Sequence, residues 1–145
     1  MRTTFLFLSA LLSTLILASC GGGTAAPMLQ SITISPQSGQ SSTQFTAIGT
    51  YSNGKRVTPL PVSWVNPLVL TVALSTHPPY SLTTQSLVGQ CGTSTGPMTF
   101  AAIAPADPNA PASGAMPVKV YQDLISGAAR NEQGFVGATA QLNCP

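Results

Sequence analysis

The chain has 145 residues, of which five are Lys or Arg and three are Asp or Glu, so its formal net charge is +2. So few cations exclude a nucleic-acid-binding protein, because such proteins place several phosphate-neutralising side chains on one face. Hydrophobic residues make up 43% of the chain, which is too many for a disordered protein. Thirteen prolines and thirteen glycines favour strands joined by turns over long helices. We therefore expect an all-β fold.

The chain begins with an apolar segment, residues 5–18, that follows a basic Arg2. The segment is too short for a transmembrane helix, which needs about 20 residues, and it has the proportions of an export signal. It closes on Leu17-Ala18-Ser19-Cys20, which resembles the lipobox of bacterial lipoproteins. The resemblance implies that residues 1–19 are cleaved and that Cys20 carries diacylglycerol and commonly a further acyl chain. The alternative is an ordinary signal peptide with a leftover cysteine.

Three glycines follow the cysteine, as a flexible tether should. We divide the chain into a signal peptide (1–19), a lipid-anchored tether (20–28) and a single domain (29–145). Because two or three acyl chains give stable anchoring, we expect a protein of the bacterial cell envelope that contacts the membrane through its lipid. Gly21 is not the Asp that retains enterobacterial lipoproteins in the inner membrane, which favours the outer membrane.

Two cysteines, Cys91 and Cys144, remain if Cys20 carries lipid. An even number of cysteines in an oxidising compartment predicts that the two form a disulfide. This bond would pin the last strand to the rest of the domain. The alternative is a pair of buried free thiols.

Alternation of apolar and polar residues predicts short strands, about seven or eight in all. The predicted strands are 29–35, 43–51, 56–64, 68–74, 81–88, 97–104, 116–121 and 134–142. Their number and spacing favour an antiparallel β-sandwich. Residues 105–114 are a loop in this prediction, and residues 123–133 are either a helical turn or a loop.

The clearest strand is 43–51, where alternate residues from Phe45 to Tyr51 share one face. Asn53-Gly54 follows directly and predicts a hairpin, since both residues tolerate positive φ. The next predicted strand contains Pro59 and Pro61, which cannot donate to a ladder. This part of the chain should therefore lie at a sheet edge or pass from one sheet to the other.

The order of three segments allows a comparison with a known family. They are LQSITISP at 29–36, QFTAIGTYSNG at 44–54, and VSW at 62–64 followed by NP at 66–67 and VLTV at 69–72. They resemble the first strand, the second strand with its hairpin, and the V-x-W … N-P … V-A-x-V segment of bacterial immunoglobulin-like domains of group 2, the intimin and invasin type. The resemblance covers roughly 29–74 and implies an immunoglobulin-like sandwich. Residues 75–96, the cysteine pair and the tail at 122–145 depart from the family pattern.

Catalytic and metal-ligand sets are not evident in the sequence. His77 is the single histidine, the acids are Asp107, Asp123 and Glu132, and no G-x-S-x-G motif occurs. A Ser-His-Asp triad would need His77 beside a nucleophilic Ser and an acid, and without a G-x-S-x-G elbow His77 is better interpreted as a solvated loop residue. Glycoside hydrolysis would need two carboxylates in an aromatic setting, and a zinc or calcium site would need clustered ligands, which these residues do not offer. We expect no enzyme, no metal and no cofactor beyond the covalent lipid.

Three features are candidates for contact with a partner. The best is the rigid segment His77-Pro78-Pro79-Tyr80, because a rigid loop loses little entropy on binding; the alternative is plain loop packing. Trp64 is either a sugar-stacking platform or a core residue, as a Trp at this place usually is in such sandwiches. Lys55-Arg56 either contacts an anionic glycan or lipid, or is simply solvated beside the hairpin.

We therefore predict a lipid-anchored, non-catalytic binding or adhesion module whose partner is an envelope protein or a glycan. The alternative is a structural accessory subunit that docks on an envelope complex through an exposed sheet edge by strand addition. Pro59 and Pro61 disfavour pairing at their own edge, so the other edge is the candidate for docking.

Overall fold

The computed structural model describes residues 25–65, 79–125 and 131–145. These residues form mostly strands, with one helix, so the predicted all-β class is confirmed. The elements are β1 (Leu29–Ser35), β2 (Ser38–Gly39), β3 (Gln44–Tyr51), β4 (Arg56–Val57), β5 (Ser63–Val65), β6 (Pro79–Ser81), β7 (Leu87–Val88), β8 (Gly96–Pro105), β9 (Ser113–Ala115), α1 (Val118–Ile125), β10 (Asn131–Glu132) and β11 (Phe135–Cys144).

Some predictions fall on residues outside the described ranges. The signal peptide, Cys20 and the first part of the tether belong to residues 1–24. The predicted strand 68–74 lies within residues 66–78, and part of the predicted turn or loop lies within residues 126–130. These predictions stay predictions.

The first sheet has the order β1-β3-β4, and β7 pairs with the start of β3. β3 alternates as predicted, with alternate residues from Phe45 to Gly49 buried. In β1, the register shifts between Leu29 and Ser31. This bulge-like irregularity moves Leu29 to the buried side, where the two isoleucines of the strand also lie.

The predicted hairpin at Asn53-Gly54 joins β3 to β4. The Gly54 N–H donates to the Tyr51 carbonyl (2.8 Å), and the Tyr51 N–H donates to the Lys55 carbonyl (2.9 Å). Of the two predicted turn residues, only Gly54 has a positive φ, of 79°. The connection is therefore a three-residue loop that ends in a glycine bulge, and not the two-residue turn in which both φ values are positive.

The chain passes from the first sheet to the second across Pro59 and Pro61, as predicted. β4 pairs with β3 of the first sheet, whereas β5 pairs with β8 of the second. Between the prolines, Leu60 is 2% exposed, and its N–H donates to the Ala47 carbonyl (2.9 Å). Because proline has no N–H, the interrupted ladder leaves no unpaired donors at the two positions.

The second sheet is built around β8 and β11, which pair antiparallel over ten residues from Gly96↔Cys144 to Pro105↔Phe135. β5 lies on the other side of β8. Along the outer side of β11, β10 pairs with its first residues and β2 runs parallel to residues near its end. The predicted strands 97–104 and 134–142 are confirmed with slightly shifted bounds.

The main core lies between the two sheets. At its centre, the rings of Phe45 and Phe100 meet edge to face with centroids 4.5 Å apart. Burying a phenylalanine contributes about 1.5–3 kcal/mol, so this pair is a large part of the local packing energy. The surrounding buried residues are mostly aliphatic: Leu29, Ile32, Ile34, Ala47, Leu60, Val62, Ala102, Val136 and Leu142.

A third layer, which we call the outer layer, covers the second sheet on the face turned away from the first. It contains the β6–β9 pair and α1. Its core is a second buried cluster: Val65, Tyr80, Ala101, Ile103, Met116, Val120 and Tyr121. β8 is consequently buried on both faces, since Phe100 and Ala102 belong to the main core while Ala101 and Ile103 belong to the second cluster.

The strand predicted at 116–121 is wrong, because Val118–Ile125 is a helix. The Val-Lys-Val order is typical of a strand, yet Val120 and Tyr121 of the helix are buried in one cluster with Met116, which precedes it. Lys119 and Asp123 form an i,i+4 ion pair on the helix. Tertiary packing therefore overrides the β preference of valine here. Burial in this layer also raises the pKa of Tyr121.

The strands of the two sheets run between two ends, which we call the N-terminal end and the disulfide end. At the N-terminal end, the Ser52 N–H donates to the Met28 carbonyl (2.8 Å) and the Leu29 N–H donates to the Ala106 carbonyl (2.8 Å). The disulfide end holds the turn at 40–43, Gly89 and the Cys91–Cys144 bond. A strand as long as β11 separates the ends by about 30 Å, at roughly 3.3 Å per residue.

Candidate functional site

An apolar groove opens near the disulfide end, between β7 of the first sheet and β5 and β8 of the second. Its cavity has a volume of about 180 Å³. The lining residues are Trp64, Val65, Leu87, Val88, Gly89, Gln90, Met98, Thr99, Phe100 and Leu142. The groove thus uses residues from four strands that are far apart in the sequence.

Trp64 forms one wall of the groove. Its side chain is half-buried and packs against the main core, with its ring centroid 6.0 Å from that of Phe100. The indole N–H donates to the Gln85 carbonyl (3.0 Å), which uses the one donor of the side chain and fixes the ring. Trp64 therefore packs against the core, in line with its interpretation as a core residue, and it also contributes to an open surface.

Val88 lies on the opposite wall and is 50% exposed. It belongs to β7, which is held in place by pairing with Gln44 and Phe45 of β3. Scattered exposed apolar residues are normal, but one that borders an open apolar cavity extends a contact surface. Val88 and the groove together form such a surface.

Gly89 allows the end of β7 to approach the core closely. A Cβ atom at this position would lie 2.7 Å from Cδ1 of Leu142 and 3.1 Å from Cε2 of Phe45. Hydrogen bonds fix the backbone here, because the Gly89 N–H donates to the Thr43 carbonyl (2.9 Å) and its carbonyl accepts from the Ser42 N–H (2.8 Å). A larger residue would therefore push on the groove wall or on the core.

The structure joins Cys91 to Cys144 in a disulfide, with Cα atoms 5.5 Å apart. The bond ties the segment that follows β7 to the last residue of β11. Met98, on the groove wall, has its sulfur 3.7 Å from the Cys144 sulfur. The groove is thus held by β-ladders along its strands and by a covalent link at its end, so its shape is largely set before any partner binds.

The lining residues include no acid, no base and no thiol. The groove therefore offers apolar walls, with the Gln90 and Thr99 side chains as its polar groups. Over the part of the chain that the structure describes, no three or more His, Cys, Asp or Glu residues are grouped closely enough to hold a metal ion. Such a lining suits recognition of an apolar group by shape.

The structure describes only the second half of the predicted contact loop, residues 79–80. His77 and Pro78 lie outside the described residues, whereas Pro79 and Tyr80 are in β6, paired with β9. Tyr80 is 6% exposed, its ring packs edge to face on Phe135 with centroids 5.4 Å apart, and its hydroxyl donates to the Pro111 carbonyl (3.1 Å). Tyr80 is therefore a strand residue packed under the outer layer, which fits the packing alternative for this residue, and contact through His77 and Pro78 stays a prediction.

The sequence did not reveal most of the groove. Leu87, Val88, Met98 and Leu142 were placed in predicted strands, but period-two patterns do not show which strands will face one another across an open edge. One local indication was present: an apolar pair that stops at Gly89, just before Cys91. Lys55 and Arg56 are exposed beside the hairpin, at the N-terminal end and away from the groove.

Comparisons with protein-family models, with curated proteins and with solved structures gave no match to this chain. Within the described ranges, no helix has the length and apolar character that crossing a membrane requires. The function is therefore inferred from the residues and their geometry.

Proposed function

We propose that this protein is a lipid-anchored, non-catalytic binding module of the bacterial cell envelope, and that the groove is its binding site. The observation that carries the proposal is the position of the groove, near the end of the sandwich opposite to Met28, where the chain enters the domain. An anchor at Cys20 would hold the N-terminal end at the membrane. The groove would then be presented about 30 Å away, where a partner can reach it.

An immunoglobulin-like sandwich is the fold that we propose for the two sheets. In that fold, strands A, B and E share one sheet, whereas C, F and G share the other. β1, β3 and β7 follow the first pattern in chain order, and β5, β8 and β11 follow the second. This strand order supports the resemblance that the sequence shows over residues 29–74.

The contacts in the core support the same fold. In antibody domains, a Trp on strand C packs against a disulfide that joins strands B and F. Here Trp64 is on β5, and the strands that correspond to B and F carry Phe45 and Phe100, whose rings pack together. An aromatic pair takes the central place, and the disulfide ties the chain at one end of the sandwich instead.

Two independent features support a place in the envelope. The apolar leader that ends in Leu17-Ala18-Ser19-Cys20 supports export and lipid attachment, with Gly21 favouring the outer membrane. The Cys91–Cys144 disulfide supports an oxidising compartment. Acyl chains on Cys20 are the one non-protein group that the proposal includes.

The lining of the groove favours a protein partner over a glycan. Apolar walls without charges suit an aliphatic or aromatic side chain that becomes desolvated on binding. Glycan hydroxyls need many hydrogen-bonding groups, and only Gln90 and Thr99 contribute polar side chains to the lining. We therefore propose an envelope protein that inserts an apolar side chain.

The test is photocrosslinking in intact cells, with a photoreactive amino acid at Gln90 on the groove and adducts identified by mass spectrometry. The matched position is Thr33, which is exposed on β1 and outside the groove. We expect one dominant envelope protein from position 90 that is not captured from position 33. Equal capture from both positions, capture of no protein, or a glycan adduct alone would contradict the proposed partner.

A pair of surface variants makes this test specific. Val88 is 50% exposed and lines the groove, whereas Thr84 is exposed outside it. We expect Val88→Ser to lower the capture from position 90 several-fold, while Thr84→Ser leaves it unchanged. Both should change the free energy of unfolding by less than about 0.5 kcal/mol, because neither side chain fills the core.

An accessory subunit that docks by strand addition is the second candidate, and one feature of the second sheet favours it. Over the described residues, β11 pairs with β10 through Val136 and with β2 from Gln141, but residues 137–140 have no ladder partner on that side. An added strand would pair there. In that case a photocrosslinker at Thr139, and not at Gln90, would capture a single stoichiometric neighbour.

A further inference from the structure

We propose that the N-terminal end is a membrane-docking surface that binds anionic lipid headgroups through Lys55 and Arg56. The surface comprises Met28, the hairpin residues 52–56 and the adjoining apolar cleft. This inference rests on the proposed lipid anchor, and it adds an orientation: the domain would sit on the bilayer by one defined end.

The first observation is how the tether joins the domain. The Met28 N–H donates to the Ser52 hydroxyl (3.1 Å), and the Ser52 N–H donates to the Met28 carbonyl (2.8 Å). The chain is thus fastened to the hairpin at the point where it enters the domain. Met28 lies eight positions after Cys20, which allows a reach of at most about 28 Å. The hairpin is therefore always close to an anchored lipid.

The second observation is the charge at this end. Lys55 and Arg56 are adjacent and exposed, and the Lys55 N–H donates to the Asn53 side-chain oxygen (3.0 Å), which helps to fix the tip. Neither cation has an acid within ion-pairing distance over the described ranges, where the ion pair is that of Lys119 with Asp123. Unpaired basic residues near a lipid anchor are attracted by the negative potential of anionic lipids.

Two acids at this end have to be counted: Asp107, and Glu132 by its backbone position, since Glu132 pairs with Phe135, which lies opposite Pro105. Asp107 is exposed on the loop that follows β8, and its Oδ1 accepts hydrogen bonds from the backbone N–H and the side-chain amide of Asn109. The two acids offset the two positive charges in the long-range field. At the hairpin itself the two cations are adjacent, so the local attraction to a headgroup remains.

The third observation is an apolar cleft beside the charges. It is lined by Pro27, Tyr51, Lys55, Val57 and Pro108, and Met28 next to it is 44% exposed. Apolar side chains and a tyrosine bordered by basic residues are the combination that binds at a headgroup interface. An anionic glycan would use the charges but not the apolar residues, so lipid is the occupant that fits both.

The test measures which end of the lipidated, full-length protein touches vesicles. With Cys20 acylated and Cys91 bonded to Cys144, a single added cysteine can be labelled with a fluorophore. One variant, Asn53→Cys, labels the hairpin; the other, Ser41→Cys, labels an exposed residue at the disulfide end. A headgroup-attached quencher then reports the proximity of each label to vesicles of neutral lipid or of neutral lipid with about one-third anionic lipid.

We expect the hairpin label to be quenched much more strongly than the disulfide-end label, and more strongly on anionic vesicles. Removing one cation with Lys55→Gln should lower the ratio of docked to undocked protein roughly fivefold, because that is about the contribution of one basic residue close to an anionic lipid surface. The matched control, Lys119→Gln, removes the same charge from α1 and should not shift it. Equal quenching at the two ends, no dependence on lipid charge, or equal effects of the two variants would overturn the proposal.

Mass spectrometry of the peptide that contains Cys20 distinguishes a failure of the docking surface from a failure of the proposed lipid anchor. An unmodified Cys20 would overturn both the anchor and the docking surface. An acylated Cys20 together with equal quenching at the two ends would overturn the docking surface alone. A separate competition uses free inorganic phosphate at constant ionic strength. If phosphate abolishes the quenching, Lys55 and Arg56 belong to a phosphate site instead.

Discussion

The N-terminal end and the disulfide end of the domain differ in how they are held and in what they expose. The N-terminal end is closed by one backbone and one side-chain hydrogen bond between Met28 and Ser52 of the hairpin, and it exposes two cations. The disulfide end is tied by a covalent bond and opens into an apolar groove without charged lining residues. A cavity costs stability because its lining loses packing contacts. The covalent bond thus lies where the packing is interrupted.

The largest expected effect comes from removing the disulfide with Cys91→Ala and Cys144→Ala. The bond closes 53 residues of chain, for which the chain-entropy model gives a loss of about 4 kcal/mol in the free energy of unfolding. Denaturant unfolding measures the loss, and reductant added to the wild type should reproduce it. Hydrogen exchange should then speed up more at the Gly89 amide than at the Gly54 amide, and equal acceleration would show that the two ends are not held differently.

A pair of glycine variants compares the packing of the two ends. A Cβ at Gly49 would lie 2.7 Å from Leu60 and 2.9 Å from Leu29, both of which are buried. We expect Gly49→Ala to cost about 1–3 kcal/mol, as overpacking does. At Gly89 the closest atom is a methyl of Leu142, which lines the groove and has open space to move into.

Gly89→Ala should therefore cost less than Gly49→Ala, although Phe45 limits the relief at that site. Thermal or urea unfolding of the two single variants measures the difference. A larger loss for Gly89→Ala would mean that the groove is as tightly packed as the main core, which contradicts the comparison of the two ends.

The smallest expected effect concerns the outer layer, which lies along the second sheet. Burial raises the pKa of Tyr121 above its ordinary value near 10. The unfolded chain therefore releases this proton first, so the stability that Tyr121 contributes is complete below pH 10 and is lost as the pH rises through the folded-state pKa. Tyr121→Phe should flatten this alkaline decline, which urea unfolding at a series of pH values measures. An identical decline in Tyr121→Phe would contradict the assignment.

The residues that could be interpreted correctly from sequence are those whose structure depends on near neighbours in the chain. β3, its hairpin and the proline-marked change of sheet are examples, since alternation, Asn53-Gly54 and Pro59/Pro61 act within a few residues. Cysteine parity likewise predicted the pairing that the structure contains.

The outer layer could not be predicted in the same way. Val118 and Val120 satisfy a strand pattern, and only the presence of a covered sheet face selects the helix. Tyr80 had the sequence surroundings of a loop, and its burial depends on residues more than thirty positions later, such as Pro111. The groove was hidden for the same reason, because Trp64 and Leu142 become neighbours only when β5, β8 and β11 share a sheet.

The direction of β1 has a mechanical consequence. β1 starts at the N-terminal end and runs toward the disulfide end, paired with β3 from Tyr51 to Thr46. If a partner in the groove is pulled away from a membrane that holds Cys20, the force enters at Met28 and acts along the length of this ladder. Its backbone hydrogen bonds are then sheared together and are not opened one at a time, so the strand that begins the domain resists this tension through several hydrogen bonds at once.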